Sequence, residues 1–246
     1  MADAAPHAAG SEANPERPAK AQAAAGSDDA SLRPGRRSLL LLLVVTVLGL
    51  VTDLASKQIM FATLADDPVE VRRVEVMEAT PELARLLPPH EPTVVVPSLL
   101  EFKLVLNPGA LFGIGAGKRV FFIVSTALAI AFALWVFARL TTRRHWAAHA
   151  AIGLVISGGL GNVYDRIRFA CVRDFIHPLP GVEFPFGIST PWSGTEVWPY
   201  VSNLADLWLI IGVCVLVVHL WRAPKPEDAQ RGDAKSDAPG ASGDAG

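Results

Sequence analysis

Four long apolar stretches constrain this chain more than any other feature: Leu39 to about Met60, Val120–Ala138, Ala147 to about Tyr164, and Val201–Trp221. Each approaches the ~20 residues that a helix needs to cross ~30 Å of hydrocarbon. Inside a bilayer the backbone must satisfy its own hydrogen bonds, so stretches this long and this apolar are expected to be helices. The rest of the composition agrees. The chain is 51% hydrophobic and only 19% charged, with charges gathered at its two ends and in two internal blocks. The expected fold is therefore an integral membrane protein, mainly α, with four transmembrane helices. The net charge of −2 says nothing about nucleic acid, but no patch combines Lys/Arg density with interleaved aromatics, which excludes it as a partner.

Residues 1–35 and 223–246 are rich in Ala, Pro, Gly and Asp without periodicity, and are expected to be disordered tails flanking one membrane domain, 36–222. The first span also fits a signal peptide, since Arg33, Arg36 and Arg37 precede Leu39–Val51, but its apolar face runs on past Asp53 without a prompt small-residue cleavage site. Basic residues set the orientation. Those three arginines, then Arg139, Arg143 and Arg144, then Arg222 and Lys225, all fall on one side if four helices cross in turn. Both termini are then cytoplasmic, and loops 61–118 and 165–200 are external. Thr93–Val96 and Phe102–Leu106 read as short β segments in the first loop.

The polar residues of the spans share a depth. Asp53 lies near the outer end of the first span, Asn162 and Asp165 at that of the third, and Asp206 near that of the fourth. A carboxylate at membrane depth costs about 2.5–3.5 kcal/mol even on the gentlest scales, so it persists only if paired, wet or functional. Scattered structural acids have no reason to lie at one level; a single site facing the outer leaflet does. Asp174, in the segment just before the last helix, is a second acid able to join Asp206, and two carboxylates brought together are the minimum equipment of an aspartyl protease.

Other residues surround this pair. Asp53 and Lys57 are one helical turn apart and can bond, either as an interfacial pair with Lys57 reaching for headgroups or as anchors of a site. Asn107-Pro108-Gly109 is a turn signal, with Gly109 open to positive φ. Asn162 and Arg166, also a turn apart, can meet a common carboxylate, and Asn203 and Asp206 share one face. Glycines from Gly158 to Gly161 suit close helix packing.

Several signals fail. Gly113–Gly117 with Lys118 lacks the first glycine and the Ser/Thr of a phosphate loop. His90-Glu91 has no second His at zinc-protease spacing, and His149, His177 and His219 are far apart, read as polar tips at helix ends; no metal and no cofactor are expected. No Gly-x-Ser-x-Gly elbow occurs. Cys214 reads as a small buried hydrophobe, and no disulfide to Cys171 is expected.

The motifs TDLASK (52–57), NPGALFG (107–113), GGLGNVYDR (158–166), VRDFI (172–176) and SNLAD (202–206) together resemble, in order, the landmarks of the bacterial lipoprotein signal peptidase family, signal peptidase II. The chain departs from that pattern at Leu111, at Ala170-Cys171 where a Gly is common, and in an insertion at 177–200. The resemblance implies a small extracytoplasmic β cradle on the four helices. It also implies an aspartic endopeptidase of the inner membrane whose substrate is a prolipoprotein with a diacylglyceryl-modified cysteine. Carried over by motif, Asp174 and Asp206 are catalytic, and Asp53, Lys57, Asn107, Gly109, Asn162, Asp165, Arg166 and Asn203 support them or position substrate. Membrane lipid is a further partner, and a monomer is expected. A polar-lined transporter and a lipoprotein-binding protein without activity stand as alternatives.

Overall fold

In the computed structural model, residues 33–109, 119–191 and 194–222 are described; both tails and the Ala110–Gly113 part of the turn motif lie outside them. Helices α1 (Arg36–Thr63), α3 (Arg119–Leu140), α4 (Trp146–Phe169) and α5 (Leu204–Trp221) are long and apolar enough to span a membrane. A short helix α2 (Arg73–Ala79), not foreseen from the sequence, follows α1.

Helix α4 is the hub. It packs against α1, α3 and α5, and it is both the least apolar of the four and the most buried, with 61% of its central window covered. In lipid this inversion makes sense: tails are as apolar as Leu, so helices associate through small and polar faces rather than through greasy ones. The glycines of α4 do this work. A Cβ on Gly158 would collide with the Ala205 carbonyl oxygen of α5, and one on Gly161 with the Asp53 carboxylate of α1. An apolar cluster of Leu42, Ala133, Val136, Ile152, Val155 and Ile156 fills the bundle.

Strands β1 (Thr93–Val96), β2 (Leu100–Asn107) and β3 (Val172–Pro178) form an antiparallel sheet in that order. The first two match the expected β segments. The third was legible only as the segment before the last helix. Its register sets Asp174 opposite Val105 and Val172 opposite Asn107. Ser202 bridges to Ile176, tying β3 to the start of α5. Beneath the sheet, Phe61, Val76, Leu104, Leu106, Cys171 and Phe175 make a second core joining it to α1 and α2.

The described members of the expected basic groups do share one end of the bundle. Arg143 Nε donates to the Arg33 carbonyl at 3.2 Å, and the His145 and His219 rings, 4.5 Å apart, bring the start of α4 to the end of α5. The sheet caps the opposite end.

Five readings need correction. The last helix begins at Leu204, not Val201, because Asn203 caps it; the third runs on to Phe169, so Asp165 and Arg166 are helical rather than in a loop. Cys214 is exposed on α5, and it is Cys171 that is buried under the sheet. The histidines are not isolated tips: His145 and His219 touch, His149 is buried against Thr141 Oγ1 at 3.1 Å, and His177 bonds Glu101 at 2.7 Å. Lys57 does not reach for headgroups but is wholly buried.

Candidate active site

The start of α5 fixes one acid. Asn203 sits at the N-cap with extended backbone, accepts from the Asp206 N–H at 3.2 Å through its Oδ1, and donates its own N–H to Asp206 Oδ2 at 3.2 Å. This reciprocal capping places Asp206 in the first turn, where the helix dipole favours a negative charge. The acid that looked stranded in an apolar span is therefore at its polar end, half-buried, with an edge open to solvent.

Strand β3 fixes the other. Asp174 is buried, and Asn203 Nδ2 donates to its Oδ1 at 2.6 Å while Asn107 Nδ2 donates to its Oδ2 at 3.1 Å. Asn107 is aimed by the turn after β2: its Oδ1 accepts from the Gly109 N–H at 2.9 Å, and Gly109 adopts φ +92°. A Cβ there would lie 2.9 Å from the Phe122 ring, so the turn requires glycine on two counts. Burial, and then the neighbouring charge of Asp206, push the Asp174 carboxyl up to about 8. The two amide donors pull the other way, because they favour the charged form; desolvation outweighs them.

One amide joins everything. Asn162 on α4 donates Nδ2 to Asp206 Oδ1 at 2.7 Å, and its Oδ1 accepts from Lys57 Nζ at 3.1 Å and from Asn203 Nδ2 at 3.2 Å. Behind it, Lys57 bonds Asp53 at 2.9 Å and Asp165 at 3.5 Å. Asp53 Oδ1 accepts from the Ala205 N–H at 2.9 Å, so α1 also holds the first turn of α5. Each carboxylate and amide here meets a donor or acceptor that it needs, which is what lets this much polarity stay buried.

All ten residues singled out from the sequence lie at the sheet end of the bundle, and nine of them join this network or the turn beside it. Arg166 behaves otherwise than expected. It meets no carboxylate: its Nη1 donates to the Asn162 carbonyl at 3.2 Å, its guanidinium lies 5.1 Å from the Phe122 ring centre, and its buried Nε has no partner among the described residues. Asp165, for its part, faces away from the acid pair.

Sequence reading missed Arg173. Its Nη2 bonds Asp165 Oδ1 at 2.9 Å, its backbone N–H donates to Asp165 Oδ2 at 3.1 Å, and its guanidinium lies 4.4 Å from the Phe169 ring centre. The signal was present: a cation beside Asp174 in an otherwise apolar strand needs a buried partner, and Asp165 was the acid without one.

This geometry presents two acids in unlike settings, bridged by the single side chain of Asn203. One is dry, its carboxyl pushed up to about 8; the other is capped and open to water. Pairs whose surroundings separate their proton affinities are suited to acid–base chemistry.

The fold defines a multi-pass membrane protein of a kind known from bacteria. Two solved bacterial membrane enzymes share it, at TM-scores of 0.51 and 0.50 and 22% identity, covering 78% and 79% of this chain and 92% and 99% of theirs. The profile of signal peptidase (SPase) II matches residues 45–222, and the chain belongs to that family of peptidases. Among similar sequences is a lipoprotein signal peptidase of Halothermothrix orenii, 35% identical over 134 residues, which are 54% of this chain and 79% of that one. Another, of Chlorobium phaeobacteroides, is 35% identical over 136 residues, covering 55% and 81%.

Proposed function

We propose that this protein is an aspartic endopeptidase that removes signal peptides from diacylglyceryl-modified prolipoproteins, cutting just before the lipidated cysteine. The observation that carries the reading is the bridge between Asp174 and Asp206 through Asn203, set at the sheet end of a signal peptidase II fold.

Asp206, ionised and open to water, takes a proton from a water molecule that attacks the scissile carbonyl carbon. Asp174, still protonated, donates to the carbonyl oxygen as negative charge develops there, and the tetrahedral intermediate collapses as the leaving amine gains a proton. Hydrolysis proceeds without a covalent intermediate. Asn203 and Asn162 hold the carboxyls in register, Asn107 holds Asp174, and the Nε of Arg166, which has no partner among the described residues, is available to a substrate carbonyl. Lys57, Asp53 and Asp165 lock the helices behind the acids and touch no substrate. The basic residues of the opposite end support a cytoplasmic location for that end and for both termini, with the acids towards the outer leaflet. The chain acts as a monomer, with lipid on its helix faces. A transporter fits less well, because an apolar cluster occupies the bundle beyond the network.

The test is incubation of purified protein with a prolipoprotein carrying or lacking the diacylglyceryl group, followed by mass determination of the new N-terminus. Cleavage before the cysteine in the lipidated form alone supports the reading. Cleavage elsewhere, or equal cleavage of both forms, refutes it.

A further inference from the structure

A cavity lies at the same end of the bundle, outside the acid pair. A cleft of about 970 Å³ opens between the last turns of α1, the last turns of α4 and the segment 68–75, near the upper end of the roughly 300–1,000 Å³ usual for ligand sites. Arg72, Arg73, Arg168 and Arg173 line it, against only Glu70 and Glu75. Arg173 is held by Asp165 and Arg72 by Glu75 at 3.1 Å. Arg73 and Arg168 have no carboxylate partner among the described residues: Arg73 Nη1 donates to the Ile167 carbonyl at 2.6 Å, and Arg168 lies 5.4 Å from the Phe169 ring centre. Two guanidinium groups are thus left to face one cleft. The carbonyls at the end of α4 would repel an anion, and Arg73 covers one of them.

The surroundings give the depth. Tyr164 and Ile167 on α4, and Val74 and Met77 on α2, are exposed apolar or aromatic groups beside these cations. Aromatic and apolar side chains next to arginines, at the end of a membrane helix, mark the level of lipid headgroups. A ligand seated here meets guanidinium on one side and hydrocarbon on the other.

We infer that this cleft holds the phosphate of an anionic phospholipid from the adjoining leaflet, contacted by Arg73 and Arg168, with its acyl chains against the outer face of α4. The lipid braces segment 68–75 against the bundle. The inference depends on the membrane placement and not on the peptidase chemistry, so either can fail alone.

Native mass spectrometry of the full chain, released from mixed phosphatidylglycerol and phosphatidylcholine micelles, tests it. Wild-type protein is expected to retain phosphatidylglycerol in preference, and Arg73→Gln with Arg168→Gln to lose on the order of tenfold in that retention. Arg222→Gln at the opposite end should lose none. Arg168→Gln alone, which breaks no hydrogen bond or ion pair among the described residues, should fall part of the way and guards against misfolding of the double variant. Unchanged retention in the double variant, or an equal loss in Arg222→Gln, overturns the proposal. Release of the lipid by excess inorganic phosphate at matched ionic strength also overturns it, assigning the cleft to a free anion.

Discussion

Lys57 shows how one residue can organise a membrane site. Its ammonium group is fully buried between Asp53, Asp165 and the Asn162 oxygen. Removing it leaves Asp53 in a dry interior without its cation, while Asp165 keeps Arg173. Lys57→Met is expected to destabilise the protein by on the order of 3–5 kcal/mol, read as a lowered unfolding midpoint in detergent. A loss within error would mean that the pair is solvated in membranes. Asp174 carries the pH dependence. Its carboxyl lies at about 8 in the fold against 3.8 unperturbed, so the folded state binds the extra proton between these values. The resulting stability is complete below pH 3.8 and fades as pH rises towards 8. With Asp174 as the proton donor, kcat/KM is expected to fall above about pH 8, and a profile flat to pH 10 would remove it from that role. At this scale the sequence was informative because acids inside apolar runs are costly and therefore conspicuous. Arg173 escaped notice because an ion pair between a helix end and the following strand depends on a turn that spacing does not reveal.

Elements meet at the site through their ends rather than their faces. The first turn of α5, the last turns of α1 and α4, and the ends of β2 and β3 converge there, so small errors in where a helix starts move functional groups. Val201 and Ser202 belong to an apolar run that reads as helix, yet the Ser202 backbone pairs with Ile176 of β3, and Asn203 caps the helix. Hydropathy finds spans well and caps poorly, because capping is decided by hydrogen bonds that apolarity does not encode. The C-terminal end of α4 offers a direct check. Ala170 closes that helix at φ +66°, a left-handed conformation that a Cβ resists. Ala170→Gly is expected to stabilise the protein by about 1 kcal/mol, visible as a raised unfolding midpoint. A decrease would mean that the methyl group packs well enough to offset its strain.

The whole molecule divides into an end that binds nothing of the acid network and an end that holds all of it. Arg33 meets Arg143 at the first end, and the sheet closes the second. The shared depth of Asp53, Asn162, Asp165 and Asp206 was readable from the order of spans alone, since alternate crossings bring alternate ends together. The sheet's third strand and the short helix α2 were not, because their residues gain order from packing beneath the sheet rather than from a periodic pattern of their own. The basic residues predict the placement: a C-terminal fusion to green fluorescent protein should fluoresce and one to alkaline phosphatase should be inactive, with the reverse pattern placing the acids in the cytoplasm. The most direct measurement is turnover of lipidated prolipoprotein by wild type, Asp174→Asn and Asp206→Asn, each checked for an unchanged unfolding profile. Loss of cleavage in both variants, with substrate still bound, is the result this account predicts. Full turnover in either one would contradict it.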